Sequence, residues 1–215
     1  MKGLLLKDWY QVKTNMRMMY LTVLAVLAIW TLSTSGDSSF AVNYSAVFLG
    51  FMPAYLLSYD HASGWTEYSF ALPLSKELQV AEKYLVGLLC TAVSAALNGI
   101  FCGILFWMGK PLPAMPIGLL LGAGAASILL INGIMLPLYY RFGAEKARML
   151  YMLMFAGMGA ALGGGAVMDE LQQNGPGSGP LPVPLWLAAV LLLAVLALYA
   201  VSWRVSVAWY GKYKK

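Results

Sequence analysis

The chain has 215 residues, 60% of them hydrophobic and only 11% charged, with a net charge of +5. A charged fraction less than half of the roughly 25% usual in soluble domains excludes a water-soluble globular fold. The positive charge needs no nucleic acid to explain it, because basic residues flanking membrane spans and facing anionic lipid suffice. Six apolar runs reach the about 20 residues that a bilayer-crossing helix needs. They lie near 18–35, 40–59, 84–108, 116–140, 149–168 and 183–207. The expected fold is therefore an all-α integral membrane protein: residues 1–17 form an N-terminal helix, and 18–215 a single six-helix transmembrane domain. A transmembrane β-barrel would need short segments of alternating polarity, and continuous runs such as "VPLWLAAVLLLAVLALYAVSW" exclude it.

Taken in chain order, "MKGLLLKDWYQVKTNMR" comes first. Leu5, Trp9, Val12 and Met16 fall on one face of a helical wheel, and Lys7, Asp8, Gln11, Thr14 and Asn15 on the other. This reads as an amphipathic helix lying on the inner leaflet and turning into the first span. Mixed charge over these seventeen residues argues against a removable signal peptide. The second span ends on Asp60 and His61, and a lone His–Asp pair suits an interfacial cap better than a zinc site, which wants three or four ligands. No metal site is expected.

The connection that follows, "HASGWTEYSFALPLSKELQVAEKYL", is the longest charged stretch. Trp65, Tyr68 and Leu72 recur at i, i+3 and i+7, which predicts a two-turn amphipathic helix ended by Pro73. Ser75 is placed to cap a second helix with Glu77 in its first turn, running straight into the third span. Cys90 and Cys102 share that span and cannot bridge within one helix, so both read as small buried hydrophobes. "GILFWMGKP" only superficially resembles a phosphate loop: its glycines are one residue too far apart and Pro111 stands where a hydroxyl is needed. "NYS" at Asn43 is a chance glycosylation match.

Thirteen of the 14 Lys and Arg residues fall on one side of this topology, only Lys110 on the other, which places both termini in the cytoplasm. All nine acids lie in connections or near span ends, so no ionisable residue sits at mid-membrane depth, where transport coupled to ions keeps them. Asn98 and Asn132 are the deeper polar residues. They are candidates to line a pathway, although bonding between helices is the simpler use. Small residues recur as Ala95, Gly99 and Gly103, as Gly118 and Gly122, and as "AGMGAALGGGA" in the fifth span, where close helix contact or a second copy of the chain is expected.

Four places carry a resemblance to a known family: the N-terminal "MKGLLLKDWYQVK", "GWTEYSFALPLSKELQVAEKYL", "YYRFGAEKAR" between the fourth and fifth spans, and the six-span topology. The chain resembles the permease subunits of type-2 ABC transporters, most closely the six-span peptide exporters of the phenol-soluble-modulin and lantibiotic-immunity kind. The second stretch is similar to the family's acidic and aromatic turn followed by Leu-Pro-x-Ser-(Lys/Arg). The resemblance implies a coupling helix that docks into an ATPase through Trp65, Glu67, Tyr68, Leu72, Ser75 and Lys76, with Phe142 and Glu145 as a smaller contact. It also implies a pair of permease copies, two separate ATPase subunits carrying ATP and Mg, and no cofactor or catalysis in this chain. The site would be a bacterial plasma membrane. The family's outer segment before the last span is shortened here to residues 169–182. An apolar path with few fixed charges suits amphipathic or hydrophobic peptides or drugs. The rival readings are a non-transporting immunity or assembly partner and a membrane-embedded enzyme. Against the enzyme stands the lack of paired acids, a His cluster or a Ser-Lys pair within the spans.

Overall fold

A computed structural model describes residues 2–32, 39–110, 112, 116–172 and 185–210, except the side chains of 2, 39–40, 70, 144–145, 148, 151, 154–172, 185 and 188. Among the described residues there are eight helical elements and no strand: α1 (Lys2–Asn15), α2 (Arg17–Leu32), α3 (Ser39–Gly50), α4 (Met52–Ala62), α5 (Trp65–Ala71), α6 (Lys76–Trp107), α7 (Ile117–Gln172) and α8 (Leu185–Trp209). Among the described residues four helical stretches are long and apolar enough to cross a membrane, and a fifth results if α1 and α2, bent by 65° at Met16, count as one broken span. The protein is an all-α, multi-pass integral membrane protein. Large apolar side chains such as Leu24 and Ile29 on α2, Val93 and Ile100 on α6, and Leu193 and Leu198 on α8 are exposed. Water would not tolerate such continuous apolar faces, whereas acyl chains do.

The elements depart from six uninterrupted rods in one place. The second apolar run is split into α3 and α4 at Phe51. Pro53 in the first turn of α4 has no N–H, and its ring displaces the carbonyl four residues back, so α3 stops at Gly50. The fourth and fifth runs, expected as two spans joined by a polar connection, fall within α7 as two helices that meet at a kink. Gly143 makes the kink with φ 78° and ψ 175°, a backbone conformation open to glycine. The side chains of the fifth run from 154 onward, with the expected contact to a second copy, lie outside the described residues, as do most of 169–182 and Glu145's carboxylate.

Two apolar clusters define the bundle's ends. At one end Val23, Leu27, Val42, Phe101, Leu105 and Leu120 join α2, α3, α6 and α7, and Lys110 there bonds the Thr31 carbonyl. At the other, basic end, Tyr84, Leu136, Tyr140, Val195 and Tyr199 join α6, α7 and α8. Helices α3 and α7 approach closely: a Cβ on Gly124 would stand 3.3 Å from that of Ala46 and one on Gly50 3.4 Å from the Ile128 Cα. Gly99, Gly103, Gly118 and Gly122, expected in packing stripes, instead have open space where a side chain would be. Cys90 and Cys102 are both buried free thiols.

Candidate docking face at the basic end

The α4–α5 turn is built by Gly64, whose φ of 73° is left-handed. Its N–H bonds the His61 carbonyl at 3.2 Å, and that of Ser63 bonds Tyr59 at 2.9 Å, closing α4 before the chain reverses into α5. Helix α5 stops at Ala71; Leu72 is extended ahead of Pro73. Ser75 then caps α6, its hydroxyl accepting from the Leu78 N–H at 3.3 Å, with Glu77 in the first turn. Helix α6 continues unbroken from there through the third apolar run, with its first two turns, Lys76 to Lys83, ahead of that run.

Seven residues long, α5 presents two different faces. Glu67 and Tyr68 point outward, Tyr68 with 58% of its surface open. Ser75 and Lys76 are exposed beside them, and Leu72 is half-buried. Trp65 is half-buried too: its ring lies 5.5 Å from that of Tyr68 and carries the Lys7 ammonium at 4.6 Å from its centroid, a cation–π contact. On the inner side Ser69 is buried, and its carbonyl accepts from Gln79 Nε2 at 3.1 Å. Gln79 Oε1 in turn accepts from the Tyr210 hydroxyl. Helix α5 is thus tied to α1, to α6 and to the end of α8. Of the smaller expected contact, Phe142 is half-buried, with Arg141 5.1 Å over its ring and 4.7 Å over Trp209.

Beneath α5 lies a feature that sequence reasoning missed. Lys7 Nζ donates to both oxygens of Asp60 at 2.9 Å and lies 3.1 Å from Asp8. Lys83 Nζ donates to both oxygens of Asp8 at 2.8 Å and lies 2.7 Å from Asp60. Two ammoniums and two carboxylates alternate in a compact ring joining α1, α4 and α6. Asp8, Asp60 and Lys83 are at most 4% exposed, as is a fifth member, Glu82, whose Oε1 is 3.8 Å from each ammonium. Lys7 and Asp8 were expected on the outward polar face of α1. Asp8 instead turns inward and Trp9 is 65% exposed, because pairing with Asp60 and Lys83 rewards burial of the charge more than Trp9 gains from the seam. Asp60 faces in, and His61, its expected partner in a cap, faces out. The only sequence signal was charge set in apolar context, as in "LLLKDW" and "QVAEKYLV".

Deeper in the bundle, Asn98 is buried, accepting from the Ser45 hydroxyl on α3 at 2.7 Å and donating to Ser94 at 3.2 Å. Asn132 is wholly buried and donates to the Ile128 carbonyl at 2.9 Å. Tyr199 from α8 sits over Gly87 and donates to the Tyr84 carbonyl at 2.8 Å, while the Tyr84 hydroxyl lies 2.7 Å from those of Ser202 and Ser206. Among the described residues no cluster of His, Cys, Asp or Glu is arranged to hold a metal ion.

The family model for ABC-2 family transporter proteins matches residues 3–211, and the chain belongs to that family. It is therefore an ABC transporter permease, the membrane component of a system whose family implies an ABC ATPase as partner. No curated protein and no solved structure matches the chain.

Proposed function

We propose that this permease is an exporter subunit of the plasma membrane of a bacterium, with six spans and both termini in the cytoplasm. In this reading α5 is the coupling helix. The observation that carries it is the pairing of an outward acidic and aromatic face, Glu67 and Tyr68, with an inner side fastened through Trp65 and Ser69 to α1 and α6. A helix that transmits force has to offer a partner one face and be rigidly joined to the spans by the other. Ser75 and Lys76 extend the docking face, Leu72 fills its edge, and Phe142 with Glu145 makes the smaller contact. Two ATPase subunits, holding ATP and Mg, draw together and tilt two permease copies between inward and outward access.

The cargo proposed is an amphipathic or hydrophobic peptide, or a drug of that character, as exported by the phenol-soluble-modulin and lantibiotic-immunity kind. Few fixed charges lie between the bundle's ends, so such a molecule meets no uncompensated charge on its way. Asn98 and Asn132 are the polar groups such a path would expose when α3, α6 and α7 part.

The experiment is ATPase and transport activity of the chain co-purified with its ATPase in nanodiscs, with and without an amphipathic helical peptide. Glu67→Arg is expected to retain membrane insertion and to abolish peptide-stimulated hydrolysis. Normal ATPase capture with undiminished transport in that variant would sink the docking assignment. A wild-type chain that captures no ATPase would instead favour a non-transporting immunity or assembly partner.

A further inference from the structure

The ring formed by Lys7, Asp8, Asp60 and Lys83 is electrically balanced, two positive charges against two negative. Glu82 is the fifth group. Its side chain is 4% exposed and its Oε1 is buried without a hydrogen-bond partner. It is 3.8 Å from each ammonium, too far for a hydrogen bond, while its carboxyl adjoins that of Asp8. An ionised Glu82 would leave one uncompensated charge in a water-poor setting, which disfavours the ionised form. A metal cation is not the remedy the geometry offers, since these carboxylates are not arranged as a ligand set. A hydrogen on Glu82, donated to Asp8, neutralises the cluster and uses the carboxyl–carboxyl contact.

We infer that the cluster is a proton-binding site, with Glu82 as the group that takes the proton, and that its occupancy sets how firmly Lys7 holds the Trp65 ring of α5. When Glu82 is protonated, Lys7 is shared between Asp60, Asp8 and Trp65. When Glu82 loses its proton to water, the new carboxylate 3.8 Å away draws the Lys7 ammonium off a ring centred 4.6 Å from it.

The surroundings favour this assignment. Facing the carboxyl are Lys7 and Asp8 from α1, Asp60 from α4 and Lys83 from α6 itself, with the hydroxyls of Tyr140 on α7 and of Tyr210 just past α8 further off. Burial pushes the Glu82 carboxyl up to about 7, against the pull of Lys83. The stabilisation is complete below the ordinary value of 4.5 and is lost as pH rises through about 7. The site exists whether or not α5 docks an ATPase, so its failure and that of the exporter reading are separate results.

The test uses the full chain in nanodiscs, titrated from about pH 5.5 to 8.5, where exposed carboxylates are already ionised. Infrared difference spectra should show a protonated carboxyl that disappears with a midpoint near 7. That signal should be missing at every pH in Glu82→Gln, a near-isosteric mimic of the neutral acid. The melting temperature should fall across the same range in the wild type, and that part of the fall should vanish in Glu82→Gln. Trp65 emission, taken as wild type minus Trp65→Phe, should shift with the same midpoint. No titrating carboxyl in the wild type, or one that persists in Glu82→Gln, would overturn the proton site. A Trp65 signal that ignores pH would overturn the link to α5.

Discussion

Lys83 Nζ reaches three carboxylate oxygens from two other helices, at 2.7 to 2.8 Å, with 2% of the residue exposed. A lysine so placed contributes little net stability relative to a well-packed apolar residue, yet removing it alone leaves Asp8 and Asp60 to share the single Lys7 ammonium, with one buried carboxylate charge uncompensated. Lys83→Met is accordingly expected to cost about 3–5 kcal/mol. Reversible unfolding in mixed micelles measures this, and a loss under about 1 kcal/mol would mean that water reaches the cluster. Gly87 shows a second kind of tight constraint: a Cβ there would meet the Tyr199 hydroxyl at 2.5 Å, so the residue is the seat on which α8 locks against α6. Neither role was visible in the sequence. Lys83 pairs with Asp8 75 positions away, Lys7 with Asp60 53 away, and such separations leave no local periodicity to read.

At the scale of elements, what was legible was local chemistry. The Trp65–Ala71 helix, the stop before Pro73 and the Ser75 cap all follow from interactions spanning a few residues, and each stands where the spacing put it. The split at Phe51 was also written locally, in Gly50 and Pro53, but a continuous apolar run masks such a break because lipid-facing composition is the same on either side of it. The face of α1 was misread for the opposite reason: a helical wheel sorts charges outward, and only tertiary pairing turns Asp8 in. The hinge between α4 and α5 depends on a left-handed residue, so Gly64→Ala is expected to cost about 1–2 kcal/mol and to loosen the Trp65–Lys7 contact. Faster amide exchange over 65–71, with α6 unchanged, checks it; unaltered exchange would show that Ser69 and Gln79 alone hold α5.

For the whole molecule, composition alone specified a multi-pass helical membrane protein, because apolar length is a global quantity that does not depend on which helix touches which. Packing was less readable. Small residues advertised close helix contacts in several runs, whereas Gly99, Gly103, Gly118 and Gly122 face open space and Ala46 and Gly50 of α3 are the ones set close against α7. A transporter of the proposed kind works as two permease copies with two ATPases. Native mass spectrometry of the nanodisc complex is expected to give that stoichiometry, and a single permease on an ATPase pair would require a different partner chain.

The ring around Lys7 and Lys83 also bears on how the chain is made. At a synthesis rate of about 5–20 residues per second, roughly 4–15 seconds separate the emergence of Asp8 from that of Lys83, its partner 75 positions on. Through that interval Asp8 lacks Lys83, and until α4 is made Lys7 lacks Asp60 as well, so water or lipid headgroups have to solvate them. Its final seating therefore waits for the third apolar run to enter the bilayer, which makes the closing of that ring a late checkpoint in biogenesis and leaves arrested shorter chains with a loose, protease-accessible amino terminus.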